Sequence, residues 1–195
     1  MTEEPRLTVF LDACVLYPAP LRDFLLHLAA GGLYKPKWTD RIHEEWTRNL
    51  LANRPDLTAA QLAKTVDAMN RAFPDAMVEG DEALQKTIYL PDEDDRHVVA
   101  GAIRGDASVI LTINLKDFPA AQLQPFHLAA LHPDAFIKNL VEFYAADALQ
   151  AFTNQVANLK NPPRYPLEVL QTLGKNGLTM TVKKLAQLLE LDDRL

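Results

Sequence analysis

Apolar residues recur along this chain at two spacings, and the switches between them mark alternating strands and helices. Thr8-Val9-Phe10-Leu11 is a compact apolar run, read as a buried strand. Leu21, Phe24, Leu25, Leu28 and Ala29 fall on one helical face, closed by Gly31-Gly32. Leu33 to Trp38 is a weaker strand that Pro36 keeps short or peripheral. A helix capped by Thr39 or Asp40 runs to about Leu51, with Ile42, Trp46 and Leu50 as its stripe. Thr58-Ala59-Ala60-Gln61 matches a capping box, and the helix behind it carries Leu62, Val66, Met69 and Phe73. A short strand centred on Met77-Val78 and a short helix over Asp81 to Tyr89 are expected next.

The stretch Leu90 to Pro119 organises the rest. Pro91 and Asp92 start a helix whose Val98, Val99, Ala102 and Ile103 recur at buried-face spacing, and Gly105 ends it. Val109-Ile110-Leu111-Thr112 then reads as a buried parallel strand. His127 to Leu131 is a last edge strand. From Pro133 onward the pattern is helical only. Phe136, Leu140 and Phe143 define one helix, and a second runs from about Asp147 to Leu159. After the break at Asn161-Pro162-Pro163, two shorter helices (Leu167 to Leu173, Val182 to Leu189) flank a Gly174–Gly177 turn. Strands alternating with helices predict an α/β fold with a central, mainly parallel sheet over residues 1–133. A C-terminal helical extension is expected over 134–195. Its Leu-rich faces exceed what a helical pair buries within itself, so they dock either on the main domain or on a partner chain.

Four carboxylates interrupt these apolar patterns. Asp12 ends the first strand, and the apolar run continues past it in Ala13-Cys14-Val15-Leu16, so the acid needs a partner or a cation. Glu45 lies within the stripe of its helix, whereas Glu44 is rotated about 100° away. Its alternative is pairing with Arg41 or Arg48. Asp95 is one turn before Val98 and Val99 on the same face; helix-dipole complementation is its alternative. Asp92 and Asp94 read as solvated or capping acids. Asp117 lies just past the strand that ends at Thr112. A helix leading into a parallel strand begins where strands end, so Asp12, Asp95 and Asp117 share the sheet edge at which open α/β folds bind ligands.

Packed carboxylates repel, so their pKa values rise or a cation is bound. An all-oxygen set suits magnesium or manganese, and such sites serve phosphoryl transfer. Composition restricts the partner. At 48% hydrophobic and 24% charged the chain is of ordinary globular type, and its formal charge of −6 argues against broad nucleic-acid coating without excluding action at a local site. No apolar run is long enough to span a bilayer, MTEEPRL lacks the parts of a signal peptide, and Cys14 is the single cysteine. No membrane association is therefore expected, and a cytoplasmic location is.

The stretches VFLDACVLYPAPLRD, IHEEW, PDEDDRHVVAGAI and VILTINLKDFP, taken in order, resemble the PIN-domain ribonucleases, and more narrowly the VapC-like toxins of bacterial toxin–antitoxin pairs. The matching positions, from about Thr8 to Pro119, are Asp12, Glu45, Asp95 and Asp117. The resemblance implies a PIN-like three-layer α/β/α fold and a magnesium-dependent (or manganese-dependent) endoribonuclease. Those four acids would be both catalytic residues and metal ligands, with RNA as substrate, an antitoxin as partner and a homodimer as assembly. Cys14 stands where the family often has a small polar residue, which removes one hydrogen bond near the first acid. Asn114 stands where relatives often carry another acid; it offers a neutral oxygen instead. Thr112, Asn114, Lys116 and Arg22 are expected to support the acids or touch substrate, Lys116 through a phosphate. Lys35, Lys37 and Arg41 are candidates for guiding RNA. Trp38 is either a base-stacking ring or a core residue, Cys14 a small buried side chain, and His97 a surface residue on the outer face of its helix. The rivals are an Asp12-nucleophile phosphatase, which wants an acid where Cys14 stands, an RNA-processing PIN nuclease without an antitoxin, and a non-enzymatic α/β interaction module.

Overall fold

The structure, a computed structural model, describes residues 7–80 and 82–191. The described chain divides into two compact units. One runs to Tyr17 and resumes at Tyr34–Leu131; the other joins Pro18–Leu33 to the residues from His132 onward.

The first unit is built on a four-stranded, wholly parallel sheet, β1 (Thr8–Leu11), β2 (Lys35–Lys37), β3 (Val109–Leu111) and β4 (Ala129–Leu131), in the order β2-β1-β3-β4. Leu11 is in register with Leu111, and Leu111 with Leu131. The chain leaves β1 toward β2 and returns on the other side of β1 as β3. The crevice beyond the ends of β1 and β3 is thus the switch point of the sheet, where such folds bind ligands. The α/β class and the parallel sheet are as expected, a PIN-like arrangement with a helical extension.

Four further helices of this unit position the site: α1 (Ala13–Leu16), directly after Asp12; α3 (Asp40–Asn53); α4 (Ala59–Ala72); and α6 (Arg96–Arg104). Thr39, not Asp40, caps α3, accepting from the Ile42 N–H, and the Thr58/Gln61 capping box opens α4. α6 packs on β1 and β3. Gly101 permits that approach, because a Cβ there would meet the Phe10 ring at 2.6 Å.

Several local expectations differ from the structure. The strand around Met77-Val78 shrinks to a single bridge between Met77 and Trp38. The helix before Tyr89 is only one turn, α5 (Glu82–Gln85), and its expected start at Asp81 lies outside the described residues. The chain between β3 and β4 winds through two 3-10 turns and the short α7 (Ala120–Leu123), none of which apolar periodicity announces.

The second unit consists of helices. α2 (Ala19–Ala30) packs against α9 (Ala145–Asn158), with Phe24 and Phe152 edge to face at 6.0 Å and Gln155 Nε2 donating to the Pro20 carbonyl at 3.1 Å. α8 (Pro133–Phe143) runs beside α11 (Thr179–Leu188), and α10 (Pro166–Lys175) packs on α11. Asp134, 3% exposed, accepts from the N–H groups of Met180 (2.9 Å) and Thr181 (2.8 Å). It thereby caps α11 from a neighbouring helix. Leu170, Leu173, Val182 and Leu185 are buried within this unit. The Leu-rich faces therefore find cover among five helices, which is the intramolecular alternative; Leu188 stays exposed. Among the described residues no helix is long and apolar enough to cross a membrane.

Candidate active site

Asp12 follows β1 in extended backbone, and its N–H donates to the Leu111 carbonyl, so the sheet itself sets the acid in place. The side chain is 6% exposed. Thr112 Oγ1 donates to Asp12 Oδ2 at 2.7 Å, and the Cys14 thiol donates to the same oxygen at 3.0 Å. Each donor is held in turn. The Asn114 N–H donates to Thr112 Oγ1 at 3.0 Å, and the Ile113 N–H donates to Cys14 Sγ at 3.2 Å. Asp12 is thus bracketed to the loop after β3 by two parallel chains of hydrogen bonds. This corrects the reading of Cys14: the hydrogen bond expected to be lost there is made by the thiol. Burial and the adjacent Asp12 push that thiol up to about 12, so it stays protonated and remains a donor.

Asp95 ends a 3-10 turn, Glu93–Asp95, and stands at the N-cap of α6 without making a side-chain cap hydrogen bond. Its charge still faces the positive end of the helix dipole, but its oxygens are not used in a cap bond. Asp92, fully on the surface, does cap, accepting from the Asp94 N–H at 2.9 Å. Burial first, then the charges of Asp12, Asp92 and Asp117, raise the Asp95 carboxyl to about 6. Those interactions bring Asp12, Asp95 and Asp117 into one electrostatic group at the switch point. Asp117 itself closes the 3-10 turn Leu115–Asp117 and is partly exposed.

Glu45 is partly buried on α3, and Glu44 is exposed, the orientation that the helical stripe predicts. Glu45 Oε1 lies 3.0 Å from His97 Nε2 and 3.2 Å from Arg41 Nε. Burial alone would raise this carboxyl, but the hydrogen bonds and charges of His97 and Arg41 outweigh it and hold it below its usual range. Through His97, Glu45 is tied to α6, the helix that Asp95 opens.

His97 is the main correction. It is 2% exposed, not on an outer face. The signal was available: residues 97–102 of α6 are all buried, and their sequence, HVVAGA, has no polar stripe that would leave one face wet. Trp38 resolves as core, with no exposure and its Nε1 donating to Asn70 Oδ1 at 2.9 Å. Arg41 donates to Glu45 and to the Asp94 carbonyl, and Lys37 to the Asp75 carbonyl. Lys35, Asn114 and Lys116 are exposed, the last two on the loop that leads to Asp117. Arg22, on α2, belongs to the second unit.

Chemically, the site is a set of carboxylate oxygens of which one group, Asp95, is raised to about 6 by burial and by the charges of its neighbours. Bound positive charge would relieve that strain on its ionised form. Among the described residues no three His, Cys, Asp or Glu side chains stand close enough together to form a ready-made metal cage. The donor type suits a hard divalent cation, one that keeps several waters and takes only a few protein oxygens.

Comparison with known proteins adds two matches. Residues 133–187 fit the family model described as VapC50 C-terminal domain. The chain is also 40% identical over 81 residues to a Mycobacterium tuberculosis protein named "Putative ribonuclease VapC50", a match covering 42% of this chain and 48% of the relative. The chain thus spans about half the length of that curated relative. No solved structure matches the chain.

Proposed function

We propose that this chain, VapC-like by both of those matches, is a divalent-metal-dependent endoribonuclease, the toxin of a toxin–antitoxin pair. The observation that carries the reading is the setting of Asp12 at the end of β1, held by Thr112 and Cys14 at the switch point of a parallel sheet, beside an Asp95 carboxyl that burial and then the charges of Asp12, Asp92 and Asp117 raise. Asp12, Asp95 and Asp117, with Glu45, would hold magnesium or manganese. When bound there, such an ion neutralises phosphate charge and makes water a better nucleophile near neutral pH.

The chain's own residues orient these acids. Thr112 and Cys14 both bond to Asp12 Oδ2, which fixes the plane of that carboxylate. His97 and Arg41 hold Glu45 ionised. Asp95, raised to about 6, would hold a cation in its ionised form, so binding would be coupled to proton release. Lys116, exposed one residue before Asp117, would meet an RNA phosphate. RNA is the proposed substrate, a cognate antitoxin and a second copy of the chain the proposed partners, and the cytoplasm the proposed location. Asp95 makes no cap bond, unlike the acids of a non-enzymatic module, whereas Glu45 does pair with Arg41 as such a module would have it; metal binding separates the two readings.

The test is cleavage of single-stranded RNA with magnesium or manganese and in EDTA. Asp12→Asn, Asp95→Asn and Asp117→Asn should each fall to about 1% of wild-type activity or less while staying folded. Cleavage undiminished in EDTA, or by all three variants, rejects the mechanism. Inhibition by the product of an adjacent small gene encoding a DNA-binding protein separates the toxin from an RNA-processing nuclease.

A further inference from the structure

His97 lies two residues beyond Asp95, in the first turn of α6. Its Nε2 is 3.0 Å from Glu45 Oε1. One imidazole therefore links the acid of α3 to the first turn of the helix that Asp95 opens. Glu45 has a second partner, Arg41, but the two differ in kind. The Arg41 side chain is 45% accessible, whereas that of His97 is 2%. A long, exposed guanidinium holds a carboxylate loosely. An enclosed ring, fixed by close packing, holds it more firmly. His97 Nδ1 is buried without a hydrogen-bond partner. The ring thus spends a buried polar atom to make the bond through Nε2. The neutral tautomer that makes that bond carries its proton on Nε2.

We propose that His97 is a positioning residue of the acid site. Its Nε2–H ties the Glu45 carboxylate to the start of α6, so that Glu45 and Asp95 meet a divalent cation as one preset unit. The proposal rests on the reading of these acids as a metal-dependent nuclease site. Hydrogen-bond partners that orient metal-binding side chains change metal affinity or activity by about 10–100-fold when removed. A histidine that merely filled space in α6 would not have that effect.

The experiment compares His97→Gln with His97→Asn in the full chain. The Gln amide N–H reaches about as far as Nε2, and the Asn amide only about as far as Nδ1. Manganese is titrated while the melting temperature is followed, and RNA cleavage is measured in parallel. His97→Gln is expected to match the wild type in half-saturating manganese within about threefold. His97→Asn is expected to need about tenfold more manganese or above, and to cleave about 10–100-fold more slowly at its own saturation. Equal losses in the two variants, or an Asn variant that binds manganese as the wild type does, overturn the positioning role. Should His97→Asn not fold, the wild type carries the test through the His97 Nε2–H proton resonance. That signal is expected to move when magnesium is added, and one that stays in place overturns the proposal. A wild type without any manganese shift and with full cleavage in EDTA brings down the metal reading itself, a result distinct from any behaviour of the His97 variants.

Discussion

Replacing Asp95 by Asn isolates the electrostatic tension of the site. In the folded chain this carboxyl sits at about 6 against an ordinary 3.8, through burial and the charges of Asp12, Asp92 and Asp117. Between those two values the native chain binds more protons than the unfolded one. Stability therefore falls as pH rises from about 4 to about 6 and stays lower above that. The gap from 3.8 to about 6 is worth at most about 3 kcal/mol. Asp95 is only half buried, so solvent screening reduces this to about 1–2 kcal/mol. Asn keeps the shape and removes the charge. In EDTA near pH 7.5, Asp95→Asn is expected to melt about 2–6 °C above the wild type. Near pH 4, where the native Asp95 is already neutral, the two curves should nearly coincide. Millimolar magnesium or manganese should then raise the wild type more than the variant, closing the gap through linkage. The assay is thermal unfolding at the two pH values, with and without metal. A variant that melts at or below the wild type near pH 7.5 in EDTA, or a gap of equal size at both pH values, would refute the reasoning.

Two further substitutions probe the frame around the site and the helical unit. Asp134→Ala removes the carboxylate that accepts from the Met180 and Thr181 N–H groups; a loss of about 2–4 kcal/mol is expected in denaturant unfolding, and a change below about 0.5 kcal/mol would mean water replaces the cap. Gly101→Ala would set a methyl 2.6 Å from Phe10 Cζ and 2.7 Å from Cε2, against a ring with no exposure. The overpacking, about 1–3 kcal/mol, should exceed the roughly 1 kcal/mol that Ala gains over Gly in a helix, so the variant should be less stable than the wild type; a more stable variant would show that α6 shifts freely on the sheet.

Much of this molecule is determined by neighbours a few residues apart, and that part is legible in the sequence. β1 and β3 are visible as apolar β-branched runs, α3 and α4 as stripes with their Thr39 and Thr58 caps. Asp12, Glu45, Asp95 and Asp117 stand out because each charge breaks an apolar pattern, and burying a charge needs a compensating partner. The identity of those partners is another matter. Thr112 donates to Asp12 across 100 residues of chain, and His97 on α6 meets Glu45 on α3. The outer-face reading of His97 failed because it took α6 to bury one stripe, whereas α6 is covered along the whole of His97–Ala102, as a sequence without a polar stripe allows; which elements cover it, periodicity does not locate. Likewise Met77 pairs with Trp38 only as a bridge, and α2 joins helices that begin more than 100 residues later. The sequence by itself determined the elements and the acids they carry, because propensity, capping and amphipathic spacing act within a turn or two. Tertiary structure alone decided which carboxylates share a field, which donors hold them and which faces close on one another, because those energies exist only between surfaces that the chain brings together from far apart.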